Sequence, residues 1–301
     1  MRVSFTGLGT ALITPFTASG ALDEGAVRRL AARQADAGVH FVVPCGTTGE
    51  TPTLTMDERV RVVELVADEV EGRTMVMAGA GGYDTNEVID SIRAFQAVGA
   101  QGILSVTPYY NKPTQEGLFQ HYAAIAASTK LPIIIYNVPG RTGCNVEPTT
   151  LARLAAISNI VGVKEASGNM TQMCEVCRIV PPEFLVLSGD DALALPLMAV
   201  GGRGLISVAS NEAPSEMVEL IEAAERGDYQ SARRWHQKLM PLMAANFVES
   251  NPIPVKFAMA AMGLCDQVYR LPMTPPSDVS QQKILAALKE FGMPIIAEVR
   301  A

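Results

Sequence analysis

Short apolar segments recur along the chain, and the stretches between most of them repeat their apolar positions with the period of a helix. We predict eight β-strands from these segments, at residues 11–13, 41–43, 75–78, 102–106, 132–136, 160–164, 184–188 and 204–208. They read as continuous apolar runs, which is typical of strands buried on both faces of a parallel sheet. Eight such βα units favour an α/β fold of the (β/α)8 TIM-barrel class over an open sheet of six strands.

After the last predicted strand, the chain carries only helical patterns. Helices are predicted at 215–226, 229–245, 254–262 and 280–291, and clusters of prolines separate them. Earlier in the chain, Thr55 and Glu58 have the spacing of a capping box before a predicted helix, and Asp84 precedes another. We therefore predict a TIM barrel that carries the active site at 1–224, and a C-terminal helical extension that forms a second domain at 225–301.

The composition narrows the kind of protein and of partner. Apolar residues make up 48% of the 301 positions and charged residues 18%, which is typical of a globular protein. A net charge of -7 argues against nucleic acid as the partner, since binding phosphates needs a basic face. The chain has no long apolar run free of charge, and residues 1–6 lack the apolar core of a signal segment. We expect a cytoplasmic protein with no membrane span that acts on small molecules.

Cysteine and histidine positions give no support to a disulfide framework or a metal site. The five cysteines are an odd number and mostly lie far apart. Cys174 and Cys177 have the CxxC spacing, but no second pair and no histidine lie nearby. His40, His121 and His236 are widely separated and show no ligand spacing. We predict reduced thiols and no bound metal.

Lys164 is the most informative single residue, because it stands at the end of the sixth predicted strand. Reactive residues of a (β/α)8 barrel lie at the carboxyl ends of the strands. Burial disfavours the charged form of lysine and yields a neutral amine that can attack a carbonyl carbon and form a Schiff base. The alternative is a structural lysine whose amine reaches water from the strand end. The residue alone leaves both interpretations open.

Other strand ends carry polar residues that fit such chemistry. Thr47 and Thr48 lie in a glycine turn whose hydroxyl and backbone N–H groups could hold a small carboxylate, although it could also be an ordinary turn. Tyr136 could carry protons, or could be a core tyrosine with a satisfied hydroxyl. Arg141 could bind a substrate carboxylate, or form a surface salt bridge.

Taken together, these strand ends resemble the dihydrodipicolinate synthase family, over about residue 7 to residue 293. The matching motifs are GTTGE at 46–50, VTPYYN at 106–111, YNVP at 136–139, RTG at 141–143, KEA at 164–166, SGDD at 188–191 and NPIPVK at 251–256. The resemblance implies a condensation of pyruvate with L-aspartate 4-semialdehyde to 4-hydroxy-tetrahydrodipicolinate, without metal or organic cofactor. This reaction opens the diaminopimelate branch of lysine biosynthesis.

The resemblance also implies a role for each matching residue. Lys164 would form the Schiff base with pyruvate, and Tyr136 would carry protons beside it. Thr47 and Tyr110 would complete a relay of hydroxyls toward solvent. The substrate-binding residues implied are Thr48 for the pyruvate carboxylate, Arg141 for the carboxylate of the semialdehyde, and Gly189 and Ile206 for the pocket backbone. A homotetramer built as a dimer of dimers is implied, with Tyr110 crossing the tight dimer interface into the partner's site.

One group of positions departs from the family pattern. Feedback-inhibited members bind lysine at the dimer interface through a histidine and an asparagine or tryptophan, where this chain has Met56 and Tyr83. Glu87 and Tyr109 still match that lysine site. Pro52 and Arg59 also differ from the pattern expected of a lysine-sensitive bacterial enzyme. We therefore predict a degenerate allosteric site and weak or absent inhibition by lysine.

Two alternative functions remain at this point. Other lyases of the superfamily, such as N-acetylneuraminate lyase and 2-keto-3-deoxy sugar acid aldolases, share the lysine and the tyrosine. They lack the arginine pattern around Arg141, because their electrophile carries hydroxyls where the semialdehyde has a carboxylate. A catalytically inactive barrel that binds a 2-oxo acid or serves as a scaffold is the second alternative, since fold alone does not fix function.

Overall fold

Eight parallel strands close into one barrel in the computed structural model, which describes residues 5–296. The strands are β1 Gly7–Ala11, β2 Phe41–Val43, β3 Met75–Gly79, β4 Gly102–Val106, β5 Ile133–Asn137, β6 Ile160–Glu165, β7 Leu185–Ser188 and β8 Gly204–Ser207. Each strand pairs with its neighbour in the sequence, and β8 pairs with β1 to close the barrel. The predicted TIM barrel is confirmed. Residues 1–4 and 297–301 lie outside the described residues. The predicted domains, 1–224 and 225–301, include them, and residues 1–4 are most of the segment 1–6 that was considered as a signal sequence.

Helices cover the outside of the barrel and form the C-terminal part of the chain. They are α1 Glu24–Asp36, α2 Met56–Val70, α3 Thr85–Ala97, α4 Gln115–Ser128, α5 Pro139–Thr142, α6 Pro148–Leu154, α7 Met170–Ile179, α8 Ala194–Ala199, α9 Pro214–Glu225, α10 Tyr229–Ala245, α11 Ile253–Ala261 and α12 Asp278–Phe291. Thr55 and Glu58 form the predicted capping box at the start of α2, each side chain bonding to the backbone of the other. None of the helices between residues 5 and 296 has the length and apolar character needed to cross a bilayer.

The first strand lies earlier in the chain than predicted. The apolar pattern placed it at 11–13, whereas β1 covers Gly7–Ala11. A Cβ atom added at Gly9 would lie 2.2 Å from the ring of Phe41 on the next strand, so only glycine fits there. The strand is therefore rich in glycine, and a search for apolar runs misses it.

Two hydrophobic clusters position the site, in addition to the large one that packs the strands against the surrounding helices. Inside the barrel, the largest apolar side chains come from alternate positions of several strands, and include Phe41, Met77, Leu104, Leu187 and Ile206. A second cluster joins the barrel to the helices that follow it, and contains Leu8, Leu205, Met217, Leu239, Phe257 and Leu288. The C-terminal helices are thus packed against the barrel through a shared core. The division into two domains after residue 224 stays a prediction.

Candidate active site

Lys164 lies at the carboxyl end of β6, in register with Tyr136 on β5 and Leu187 on β7. Its side chain is buried, with the whole residue 5% exposed, and its Nζ atom lies 4.2 Å from the centroid of the Tyr136 ring. Burial lowers the pKa of Lys164 to about 7, an effect that Asp191 opposes and Arg141 reinforces. The lysine therefore does not extend over the outer surface, and a large fraction of its amine is neutral near neutral pH. That is the state required for attack on a carbonyl carbon.

Tyr136 is buried in the barrel interior, where Arg141 and Thr47 act on its hydroxyl. Burial raises the pKa of its hydroxyl, whereas the Arg141 cation and the polar Thr47 side chain lower it. Thr47 lies in a partly exposed turn and lines the same cavity as Tyr136 and Lys164. The fold therefore brings the three residues to one cavity, and their roles in proton transfer stay predictions.

The two threonines lie in a 3₁₀ turn, Thr47–Gly49, that follows β2. Thr14 Oγ1 donates a hydrogen bond to the carbonyl of Gly49 at 2.7 Å. The Thr48 hydroxyl oxygen accepts one from Asn251 Nδ2 at 2.9 Å. Asn251 belongs to the C-terminal part of the chain and was not among the residues predicted for the site. It lies in the matching motif NPIPVK at 251–256, for which the sequence indicated no role in the site.

Arg141 lies on the short helix α5 that follows β5. Its Nη2 atom donates a hydrogen bond to the carbonyl of Asn251 at 3.2 Å, and its charge acts on both Lys164 and Tyr136. The guanidinium has further donors, so a carboxylate bound above Lys164 would meet a cation beside the reacting carbon. Asn251 therefore links the turn that carries Thr48 to the arginine.

Gly189 and Ile206 differ in how they relate to this site. A Cβ atom added at Gly189 would lie 2.6 Å from Cβ of Ala166 and 3.0 Å from Cε of Lys164. The lack of a side chain at Gly189 therefore makes room for the side chain of Lys164. Ile206 is fully buried in the barrel interior and is not among the residues that line the cavity above Lys164. Its predicted contribution to the pocket stays a prediction.

A cavity of about 120 Å³ opens above Lys164. Its walls include Thr47, Thr48, Tyr136, Arg141, Gly189 and Asn251. A second cavity of about 240 Å³ adjoins it and shares Thr47, Tyr136 and Arg141 with it. This second cavity extends toward Cys45, Pro52, Arg59 and Tyr109. The first cavity has the size of a small 2-oxo acid, and both substrates of a condensation could meet at the shared wall.

Comparison with known proteins identifies the family. The model of the dihydrodipicolinate synthetase family matches residues 4–291. The chain belongs to this family.

Individual relatives match nearly the whole chain. The 4-hydroxy-tetrahydrodipicolinate synthase of Chloroherpeton thalassium is 49% identical over 293 residues, which is 97% of both chains. The crystal structure of dihydrodipicolinate synthase from Aquifex aeolicus has a TM-score of 0.95 and 43% identity, covering 97% of this chain and all of that one. The chloride-inhibited enzyme from Acinetobacter baumannii, complexed with pyruvate, has a TM-score of 0.95, 41% identity and coverage of 97% and 100%.

Tyr110 is the family-matched residue that the fold places away from the lysine. It is 91% exposed and lines neither of the two cavities of its own chain. Its backbone is left-handed, with φ 72°, a conformation that residues other than glycine rarely adopt. The loop therefore holds this large aromatic side chain outward. The three other predicted catalytic residues, Lys164, Tyr136 and Thr47, lie around one cavity without it.

The residues matched to the family's lysine site form a cluster at the far end of the second cavity. The rings of Tyr83 and Tyr109 meet edge to face, with centroids 5.3 Å apart. Burial is the main cause of the raised pKa of Tyr109, with smaller effects from Tyr83, Arg59 and Glu87. Met56 lies at the start of α2, where its sulfur is 3.9 Å from the Ser91 hydroxyl. Pro52 and Arg59 line the cavity itself.

Among residues 5–296, no group of three or more histidine, cysteine or acidic side chains comes together in a way that could hold a metal ion. The five cysteines are free thiols in the structure. Cys174 and Cys177 lie on α7, as the sequence pattern indicated, with Cys174 exposed and Cys177 half-buried. Cys45 is buried behind the threonine turn, and burial raises the pKa of its thiol to about 12.

Proposed function

We propose that the chain is a lyase that condenses pyruvate with L-aspartate 4-semialdehyde to give 4-hydroxy-tetrahydrodipicolinate, the reaction that begins the diaminopimelate route to lysine. Family membership over nearly the full length supports this function. The single structural observation that carries it is Lys164, a buried amine of lowered pKa against the face of Tyr136, at the carboxyl end of a barrel strand.

The chemistry begins with the neutral amine of Lys164. Its Nζ atom attacks the keto carbon of pyruvate, a C–N bond forms, and water leaves to give a protonated imine. The imine draws electrons from the adjacent methyl group, which loses a proton and becomes an enamine. Tyr136 lies beside Lys164 and can accept or return protons, and Thr47 in the wall of the same cavity would pass them on.

The second half of the reaction forms the new C–C bond. The enamine carbon attacks the aldehyde carbon, whose oxygen takes up a proton to become a hydroxyl. The amino group of the semialdehyde then attacks the imine carbon, which closes the ring and releases Lys164 as a free amine. Arg141 would hold the carboxylate of the semialdehyde, and the turn with Thr48 would hold that of pyruvate. Overall, two substrates combine and one water is released.

Arg141 also separates this function from the sugar acid aldolases. Their electrophile presents hydroxyls, whereas Arg141 offers a cation beside the cavity that contains Lys164. The inactive-scaffold alternative would leave no reason for a lysine of lowered pKa to face a tyrosine in the wall of a cavity. The condensation is therefore the function that the site supports best.

The test is a rate assay with both substrates, coupled to the reductase that consumes the product with NADPH. Wild-type protein should turn over, and Lys164→Ala should not. Reduction with borohydride in the presence of pyruvate should attach a three-carbon group to wild-type protein and leave Lys164→Ala unmodified. No turnover, together with cleavage of N-acetylneuraminate or a 2-keto-3-deoxy sugar acid, would replace this function with that of an aldolase. Binding of a 2-oxo acid that Lys164→Ala retains, with no turnover of any substrate by wild-type protein, would favour the scaffold.

We further propose that the chain works as a dimer of tight dimers, in which Tyr110 reaches the active site of the partner. The exposed and outward-held side chain of Tyr110 supports this arrangement, since an aromatic residue that is 91% exposed in one subunit gains most from burial in another. Tyr110 would complete the relay that starts at Tyr136 and Thr47. Location in the cytoplasm stays a prediction from the sequence.

The degenerate lysine site is likewise a proposal. Tyr83 packs against Tyr109, and Met56 offers a thioether where a lysine-binding member has a histidine. The Arg59 cation acts on the same Tyr109 hydroxyl as Glu87, so a lysine ammonium that approached Glu87 would also meet a like charge. We propose weak or absent feedback inhibition by lysine.

A further inference from the structure

The turn that carries Thr47 and Thr48 is bounded by two residues in an unfavourable backbone conformation. Cys45 before it has φ 57° and Glu50 after it has φ 52°, both in the left-handed region. Residues with a Cβ atom rarely adopt this region, and they persist there only when their surroundings fix them. The position of the two threonine hydroxyls therefore depends on what holds Glu50 and Cys45.

On one side, the fold itself holds Cys45. A Cβ atom at Gly79 would lie 2.1 Å from the Cys45 carbonyl oxygen, so β3 passes directly against this peptide. On the other side, the carboxylate of Glu50 forms an ion pair with the ammonium of Lys256 on α11. The side chains of Lys256 and Glu50 are 0% and 1% exposed. One end of the turn is thus fixed by a close backbone contact and the other by a buried charge pair.

The ammonium of Lys256 lies among aromatic rings, and Glu50 is its ion-pair partner. The Nζ atom lies 4.1 Å from the centroid of the Phe16 ring and 5.4 Å from that of Tyr269. Burial lowers the pKa of Lys256, and Glu50 opposes this effect. Glu50 also accepts a hydrogen bond from the backbone N–H of Arg270 at 3.3 Å. Removing the charge of Lys256 alone would therefore leave a buried carboxylate without its ion-pair partner.

Lys256 and Asn251 belong to the same segment of the chain, and they contact two different residues of the turn and its end, Glu50 and Thr48. Asn251 bonds to the Thr48 hydroxyl, five residues before Lys256 meets Glu50. The pair Glu50 and Lys256 is 206 positions apart in the sequence. The C-terminal part of the chain therefore contacts the turn that carries Thr47 and Thr48 at two points.

We propose that Lys256 is a positioning residue for the first substrate. Through Glu50 it fixes the turn whose N–H and hydroxyl groups receive the pyruvate carboxylate, so the C-terminal helices set the affinity of the barrel for pyruvate. The inference rests on the proposed function. It differs from a purely structural role, because a structural role would change stability without changing the concentration of pyruvate that half-saturates the site.

The test uses Lys256→Met, which keeps the length of the side chain and removes its charge. We expect the KM for pyruvate to rise about tenfold or more, because a small displacement of positioning groups has a large effect. The pyruvate concentration that half-saturates borohydride trapping on Lys164 should rise by the same factor. Trapping at saturating pyruvate should remain complete, since Lys164 is intact.

A second variant protects the test against loss of folding. Glu50→Gln combined with Lys256→Met leaves no unpaired buried charge, so it should melt closer to the wild type than Lys256→Met alone. We expect its KM for pyruvate to stay raised, because neither neutral side chain restores the ionic contact. Leu288→Ala on α12 is the matched control, since it loosens the fully buried core of the same helices away from the turn.

The outcomes are distinct. A KM for pyruvate within about twofold of the wild type in the double variant would overturn the positioning role. The same would follow if Leu288→Ala, at an equal loss of melting temperature, raised the KM as much. Wild-type protein that neither turns over nor traps pyruvate would instead remove the proposed function, and the inference with it.

Discussion

At the scale of single residues, Lys164 combines two properties that oppose each other. Its burial produces the neutral amine that the chemistry needs, and the same burial makes the charged form costly to the fold. The pKa of Lys164 is about 7, against an ordinary value of 10.5. Between these values the unfolded chain binds a proton that the folded chain does not bind. Folding stability therefore rises with pH in this range and is lowest, with the full cost of the buried charge, below pH about 7.

Because this burden on folding stability falls as the pH rises, we predict how the stability of Lys164→Met differs from that of the wild type at each pH. The variant should be more stable than the wild type at pH about 7, and its advantage should shrink by up to about 1.4 kcal/mol for each pH unit as the pH rises. Thermal and urea unfolding of both proteins, at equal concentration and at several pH values, measures the difference. Lys130→Met, which changes an exposed lysine, should show no such trend. An advantage that is constant with pH would contradict the lowered pKa.

A second prediction at this scale concerns the space beside the lysine. In Gly189→Ala, the new methyl group would lie 3.0 Å from Cε of Lys164 and 2.6 Å from Cβ of Ala166. The lysine side chain has to move, and we expect imine formation with pyruvate to slow about tenfold or more. Borohydride trapping over time measures the rate. Gly140→Ala is the control, because an added Cβ there meets nothing within 4 Å. Equal trapping rates in the two variants would show that Lys164 tolerates the displacement.

The residues of the site differ in how well the sequence could predict them. Lys164 and Tyr136 end apolar runs and Arg141 follows one, so the sequence could place them at strand ends, and the resemblance supplied the roles that stay predictions. Asn251 lies in a motif that matches the family, but its contact could not be predicted, since its bond to Thr48 spans 203 positions. Glu50 and Lys256 also lie in matching motifs, yet their ion pair could not be predicted, because a charged residue in a helical pattern is normally taken to face water.

At the scale of elements, local signals predicted the helices well and the first strand poorly. The capping box of Thr55 and Glu58 acts within four residues, so the sequence contains all of it. The place of β1 depends instead on Gly9 making room for Phe41 of another strand, a contact between residues that are distant in the sequence. Barrel geometry in this region is set by the absence of a side chain, which hydrophobic patterning cannot detect.

The elements around the second cavity carry a prediction about regulation. Lysine in the millimolar range should leave more than half of the wild-type rate, because Tyr83 packs against Tyr109 and Met56 cannot replace a histidine as a hydrogen-bonding partner. Met56→His combined with Tyr83→Asn should make the rate more sensitive to lysine. Initial rates over a lysine titration measure both. Strong inhibition of the wild type would contradict the degenerate site, and Lys130→Met serves as a control for nonspecific effects of substitution.

At the scale of the whole molecule, the subunit is incomplete if Tyr110 serves the partner's site. The left-handed backbone of Tyr110 and the 91% exposure of this residue are both unfavourable in free energy, and no contact among residues 5–296 of a single subunit offsets them. Burial of the ring in the cavity of a second subunit would offset them. The two catalytic contributions, Lys164 and Tyr110, would then come from different chains in every site, and this separation can be tested by mixing subunits.

We predict that two inactive variants restore activity when combined. Lys164→Ala lacks the amine, and Tyr110→Ala lacks the crossing side chain, so each alone should be slow or inactive. In a mixed dimer, the subunit with Tyr110→Ala keeps its own Lys164 and receives Tyr110 from its partner, giving one complete site. Random pairing in equal co-expression should therefore recover about one quarter of the wild-type activity per subunit. If Tyr110 acted within its own chain, every site in the mixture would lack one of the two residues, and no activity beyond that of the separate variants would appear.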